Sequence, residues 1–544
     1  MGLRISPLVS SNMVVQRDKP FVITGFAESR GRIRVVFGDV SKDTVADDDG
    51  RFSVDLGTFP ASNEPRDLEV YYTLPGEGSQ SGRYSATNIV VGDVWLLGGQ
   101  SNMQLWLSRT AHRYPEVMEL TDPSLRQYSV PQTPDFAGAV APWDAPPGNG
   151  WQPFSPATSP DFSAVGYFLA SSLRERYQVP IGLLAAAVGG TPIATWLPRE
   201  ALERLGVDLA EADAFGDADM VAATQAADST TEADHFRVLD AQDPGVAGKW
   251  YAPDFDDETW PTGELTDIVP GPGSYWYRRS IVVPEKLAGR EAEIYLGTAV
   301  DRDEVYVNGE LIGSTMYRHP PRAYQFTLPP GEVTIAIRLV MFGEIGTFAP
   351  AKARFIGTDA GTISLEGSWR MHPGAATAPA PAATNFNNIP TGLFNSMIAP
   401  LGGLGLKGVA WYQGESDSGD PGNYPARLAA LITSWRELFG DDELPFVIQE
   451  LAHWDGSGVF DPEHQPNWEA LRAAQRSALD IPNTGVSTGY DIGEWNDLHP
   501  QGKRVVGERL ARLAARLAYG ESLPPNMFEQ YHIANTPLNS PGGS

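Results

Sequence analysis

A chain of 544 residues, 42% hydrophobic and 20% charged, has the composition of a soluble globular protein too long for one ordinary core, so two to four domains are expected. It contains no cysteine, which excludes disulfides, thiolate metal sites and a cysteine nucleophile. A net charge of −28 repels nucleic acid and anionic membranes, so neither is expected as a partner. No apolar run approaches the roughly 20 residues that cross a bilayer. The opening MGLRISPLVSSNMVVQ has no charged region followed by an apolar stretch and a cleavage site. A soluble protein is expected, either cytoplasmic or exported with its leader removed. The acidic surface also disfavours polyanionic substrates, unless a local basic pocket overrides it.

Residues 1–88 read as short strands separated by turn residues (RIRVVFGD, FSVDLG, LEVYYTLPG), and a small β-sandwich-like domain is expected there. From Val91 the pattern changes. VGDVWLLGG (91–99) and IGLLAAAVGG (181–190) are buried-strand patterns, and AVGYFLASSLRERY (164–177) between them has helical spacing. This rhythm predicts an open, mostly parallel sheet with helices on both faces over residues 89–234. Residues 207–234 are acidic and small, and read as a solvated helix or linker. Residues 235–372 look β-rich, with an Asn-Gly hairpin signal in VNGEL. The Ala/Pro-rich stretch 372–390 reads as an exit linker. Over 373–544 the α/β rhythm resumes, with strands KGVAWYQG (407–414) and PFVIQEL (445–451) and three helical patterns, two of them ending at Gly440 and Gly520. One α/β domain interrupted by a β-domain insertion accounts for this order.

Four polar, glycine-bearing motifs lie at candidate strand ends. Gly98-Gly99-Gln100-Ser101-Asn102-Met103 places a serine where helix-start amides receive developing negative charge, although a strand-to-helix turn capped by serine reads equally well. It is not a Gly-x-Ser-x-Gly elbow. Gly189-Gly190-Thr191-Pro192 offers backbone amides for an oxyanion, or simply a turn. Trp411-Tyr412-Gln413-Gly414-Glu415-Ser416-Asp417 offers the Gln413 amide, or a polar loop. Asp497-Leu498-His499-Pro500 precedes the last long helix. Of eight histidines (112, 235, 319, 372, 453, 464, 499 and 532), His499 combines a nearby carboxylate with a post-strand position, as a base for a serine nucleophile requires. Each motif alone is weak. Together they point to one site.

In order and content these blocks resemble the sialate O-acetylesterase-like branch of the SGNH hydrolase superfamily, along nearly the whole chain: SSNMVVQRDKPFVITGFA, VVGDVWLLGGQSNM, AVGGTPIATWLP, GLFNSMIAPLGGLGLKGVAWYQGESD and NDLHPQGKRVVGERLA. The resemblance implies an SGNH (flavodoxin-like) parallel-sheet domain that removes acetyl groups from sugars without metal or other cofactor. It implies Ser101 as nucleophile and His499 as base. The amides of Ser101 and Gly190 and the side chain of Gln413 would hold the oxyanion, with Gln100, Asn102, Trp411 and Glu415 near the substrate. Many members place the acid three residues before the histidine, here Asn496. Asp497 fits this branch's Asp-x-His-Pro pattern, with Glu494, Asp491 or a Ser–His dyad as alternatives. The insertion resembles the jelly-roll, sugar-binding-like domain of family 2 glycosidases (KWYAPDFDDETW, YWYRRSIVVP, VDRDEVYVNGELIG). Trp250, Trp260 and Trp276 are then candidates for stacking on sugar, or for core packing. The charge favours a neutral plant or algal glycan, of xylan or xyloglucan type, over O-acetylated sialic acid. An inactive carbohydrate-binding protein and an esterase for longer acyl chains are the rival readings.

Overall fold

The computed structural model describes residues 2–74, 82–317, 320–454, 467–494, 497–522 and 531–533; Asn496, His319 and His464 lie outside them. Its central element is the long strand β1, Gly82–Gly99. Burial along β1 alternates at first and is then continuous from Ile89 to Gly99. The change marks a change of neighbours. Residues 82–91 pair antiparallel with Ser62–Thr73, whereas 93–99 lie between two parallel strands. A strand with one solvated face alternates, and a strand covered on both faces is apolar throughout.

The remaining elements of the sheet are α1 (Ser101–Gln104), β2 (Asp122–Ser129), α2 (Ala164–Tyr177), β3 (Ile181–Ala187), α3 (Ala218–Gln242), β4 (Gly408–Tyr412), α4 (Tyr424–Phe439), β5 (Phe446–Gln449), α5 (Trp468–Arg476), β6 (Thr484–Ser487) and α6 (Lys503–Tyr519). The parallel strands run in the order β2-β3-β1-β4-β5-β6, with Trp151–Phe154 and Tyr531–Ile533 added antiparallel at the two edges. From β1 the chain leaves to one side for β2 and β3, and later to the other side for β4. Because parallel crossovers are right-handed, this reversal sends helices to opposite faces and opens a crevice beyond the strand ends. Without β2 the order is that of the flavodoxin-like sheets. Gly440 and Gly520 cap α4 and α6 in left-handed conformation, where the sequence placed them.

Between Thr262 and Ala376 a six-stranded, a four-stranded and a three-stranded antiparallel sheet surround a separate apolar core that includes Tyr277, Ile294, Ile337 and Trp369. None of the expected domain boundaries falls between elements. Residue 88 lies inside β1, 234 inside α3, and 372 inside the strand Trp369–Ala376. The N-terminal strands share one core with the α/β sheet, so no linker separates them. The acidic stretch becomes a helix that runs on through Gln242, with Leu239 its buried residue. It ends on Asp243, a fully buried carboxylate that accepts hydrogen bonds from Ser274 Oγ (2.7 Å), Trp276 Nε1 (3.1 Å) and Arg338 Nε (2.9 Å). These bonds fasten the helix to the β-sheets that follow it. The Ala/Pro stretch begins as the last strand of the six-stranded sheet because residues 370–376 pair with the strand Gly273–Val283.

Candidate active site

The ends of β1, β3 and β4 are level: Gly99 is in register with both Ala187 and Tyr412. Three loops therefore leave the sheet side by side. They meet in a cleft of about 740 Å³ whose wall includes Gln100, Ser101, Gly189, Gly190, Glu415 and His499. The turn into Ser101 depends on Gly99, which adopts φ +134°. A Cβ there would stand 2.1 Å from the Tyr412 carbonyl oxygen, so no other residue fits without separating β1 from β4. Ser101 is the first residue of α1 and is partly exposed. The Gly189 amide donates to Gln104 Oε1 at 2.8 Å, and Gln132 Nε2 donates to the Ala187 carbonyl at 3.2 Å. The two glutamines hold the Gly189-Gly190 turn against α1.

Gln413 does not face this cleft. It is fully buried, and Nε2 donates to the Thr191 carbonyl (3.0 Å) and to Asp417 Oδ2 (2.5 Å). Oε1 accepts from the Tyr424 hydroxyl at 3.0 Å. Both amide hydrogens are committed, so the expectation that this side chain presents a donor to an oxyanion is corrected: Gln413 links the β3 and β4 loops from below. Asp417 also accepts the Ile193 amide at 2.8 Å, and burial pushes its carboxyl up despite the Gln413 bond. Gln413→Ala is expected to leave buried groups unpaired and to lower stability by about 2–4 kcal/mol. Thermal melting checks this. An oxyanion donor would instead give a fall in kcat of about 10²–10³ at unchanged melting temperature.

The substrate-side expectations divide in two. Gln100 and Glu415 line the cleft, and Gln100 Oε1 accepts the amides of Gly414 (3.2 Å) and Ser416 (3.3 Å). Trp411 is fully buried, edge-on to Trp196 and Trp435, and is a core residue. Asn102 is buried as well. Its Nδ2 donates to Glu415 Oε1 at 2.6 Å and to the Leu498 carbonyl at 3.0 Å, and its Oδ1 accepts from Lys503. This amide joins the serine loop to the histidine loop. Burial pushes the Lys503 ammonium down to about 8, against the pull of Glu415. Burial likewise raises the Glu415 carboxyl, against the Asn102 bond.

His499 is buried and lines the cleft. Asp497 Oδ1 accepts its backbone amide at 2.8 Å, and Asp497 Oδ2 accepts from Lys352 Nζ at 2.9 Å. Of the alternative acids, Asp491 forms a two-pronged pair with Arg509, which holds its carboxyl low. Glu494 accepts from Lys352 Nζ (3.0 Å) and the Gln501 amide (2.8 Å). The three tryptophans offered for stacking pack on one another with 9, 6 and 0% exposure for Trp250, Trp260 and Trp276, so they form a core and not a rim. The aromatic wall of the cleft comes instead from Trp106, Tyr317, Trp454 and Trp468, with Trp106 49% and Tyr317 56% exposed. Sequence reasoning missed these, along with Arg109, which also lines the cleft, and Lys352. Tyr317 and Lys352 are remote in sequence from every site motif, so no local signal marks them.

A doubly wound sheet with polar loops converging at its switch point defines an α/β protein whose ligand crevice lies where this architecture ordinarily puts it. Residues 383–516 match the family model described as SASA, carbohydrate esterase, sialic acid-specific acetylesterase. The chain is 33% identical over 147 residues to the human sialate O-acetylesterase, covering 24% of this chain and 27% of that protein. It is 32% identical over 144 residues to the rat sialate O-acetylesterase, covering 24% and 26%. Each match thus spans about a quarter of the relative's length. A crystal structure of a carbohydrate acetylesterase from Xanthomonas citri aligns with TM-score 0.58 at 24% identity, over 96% of this chain and 76% of that one. That likeness is one of fold. In sequence, then, the chain is similar over about a quarter of its length to sialate O-acetylesterases and to the carbohydrate esterase family model.

Proposed function

We propose that the protein is a serine carbohydrate O-acetylesterase of the SGNH type, acting through an acetyl-enzyme intermediate. Ser101 Oγ attacks the acetyl carbonyl carbon while His499 takes its proton. The backbone N–H groups of Ser101 and Gly190 receive the oxyanion. Collapse breaks the bond to the sugar oxygen, which leaves with the proton from His499, and water then repeats the sequence on the acetyl-enzyme. Asp497 is the acid of this reading and holds the His499 loop. The observation that carries it is that Ser101, Gly190 and His499, from three separate loops, line one cleft. The insertion, read as a jelly roll, contributes Tyr317 to that cleft, where exposed aromatic faces suit the apolar faces of sugar rings.

A neutral plant or algal glycan is the preferred substrate in this reading, because the acidic surface disfavours an anionic sugar. A second substrate reading, an O-acetylated sialic acid, is favoured by Arg109 in the cleft wall and by what the curated relatives are named for. A fluorophosphonate ester tests the nucleophile. One adduct on the Ser101 peptide, suppressed by an aryl acetate and less by an aryl octanoate, is expected. Ester hydrolysis with the adduct elsewhere would overturn the assignment.

A further inference from the structure

A cation of the inserted β-sheets, Lys352, touches the histidine loop. Lys352 lies in the segment between Phe348 and Phe355, which end and begin strands of the insertion. Its side chain is 13% exposed, and Nζ donates to Asp497 Oδ2 at 2.9 Å and to Glu494 Oε2 at 3.0 Å. The two acceptors are themselves joined, since the Asp497 amide donates to the Glu494 carbonyl at 3.0 Å. Further on, Asp497 Oδ1 receives the His499 amide and Glu494 Oε1 receives the Gln501 amide. One ammonium thus grips both carboxylates that fix the backbone on either side of His499.

The Lys352 segment is itself braced. Arg354, 5% exposed, donates from Nη1 to the Lys352 carbonyl (3.1 Å) and from Nη2 to the Ala349 carbonyl (2.6 Å). Its own amide donates to Glu366 Oε1 at 3.0 Å. The aliphatic stem of Lys352 passes over Gly297, where an added Cβ at φ +75° would stand 2.8 Å from the lysine Cβ. An exposed lysine needs neither a braced loop nor a cleared path.

We infer that Lys352 is a positioning residue for the His499 loop, so that the insertion completes the reacting site and does more than widen the sugar-binding surface. The inference rests on the esterase reading given above. The ionic surroundings agree with it. Burial disfavours charge on both partners, yet Asp497 and Glu494 hold the Lys352 ammonium up, and Lys352, with Arg113 behind it, holds the Glu494 carboxyl down. Lys503, Arg109 and Tyr295 face the same carboxylates from α6, the serine side and the insertion. With Lys352 removed, Glu494 loses its nearest cation, and its protonation moves to higher pH.

The test compares wild type, Ser101→Ala, Lys352→Met and Lys352→Arg as full chains, with aryl acetate and an acetylated oligosaccharide as substrates. Ester cleavage by wild type that Ser101→Ala lacks is the control for the esterase reading, and its failure would be visible in those two proteins alone. For the inference, Lys352→Met is expected to lower kcat about tenfold or more with KM within twofold. The acidic limb of its pH profile is expected to move upward, and Lys352→Arg to restore most of the rate. A Lys352→Met enzyme with kcat within twofold of wild type and an unmoved acidic limb would overturn it. So would a loss of melting temperature that Lys352→Arg reverses without restoring kcat.

Discussion

Ser101→Ala is expected to lower kcat/KM for acetyl esters by about 10³-fold or more, a loss of about 4 kcal/mol of transition-state stabilisation. The substitution removes the oxygen proposed to attack the ester and leaves the backbone amide of residue 101 in place. Some rate above solvent hydrolysis is therefore expected to survive through oxyanion binding. Melting temperature is expected to stay close to that of wild type, because the side chain is partly exposed at the start of a four-residue helix. A variant that folds, binds acetylated sugar and fails to turn it over is the expected phenotype. A variant retaining a tenth or more of the activity would mean that another group attacks the ester.

Gly99→Ala is expected to be still more damaging, in a different way. The added methyl carbon would meet the Tyr412 carbonyl oxygen at 2.1 Å and the carbonyl carbon at 2.7 Å, at φ +134°. The strand partner supplies backbone there, so no rotamer change relieves the clash. Backbone strain and overpacking together cost about 3 kcal/mol or more. The site would suffer along with the fold, since pushing β1 from β4 moves Ser101 relative to the Glu415 loop. Urea denaturation checks this, with a lower midpoint expected. A variant with unchanged midpoint would show that the strands do not approach as closely as described.

How far the sequence led depends on what each inference relied on. Strand ends were legible because burial on both faces writes continuous apolar runs, and each run stops at glycine: VWLLGG, LLAAAVGG and VAWYQG. Ser101, Gly190 and His499 line one cleft because the strand order brings their segments to the same end of the sheet, an order that the polar motifs at strand ends do not spell out. Side-chain direction was not legible. Gln413 turns inward because Asp417 and Tyr424, four and eleven residues on, supply a buried acceptor and donor, a preference that spacing alone does not express. Asn102 is similar: its partners Leu498 and Lys503 lie 396 and 401 residues away.

The β insertion was legible as strands, yet its margins were not. Low hydrophobicity over 207–234 marked a solvated segment, but the residues that end that helix act through a buried aspartate bonded to strands 31 to 95 residues later. Tryptophans near a suspected sugar site invited a stacking role, whereas clustering of Trp250, Trp260 and Trp276 around one another reflects the ordinary pull of large apolar surface into a core. The aromatic groups that do line the cleft come from separate segments, Trp468 among them from the start of α5, which sequence proximity cannot reveal.

Acetate release is the most direct test of the central claim, measured for wild type and Ser101→Ala on acetylated xylan, acetylated xyloglucan oligosaccharides and O-acetylated sialic acid. Release from at least one of these by wild type, and none above background by Ser101→Ala, is the predicted result, and the preferred substrate would decide between the neutral glycan and the acidic sugar. Equal release by the two proteins, or none by wild type from any of the three, would contradict the account.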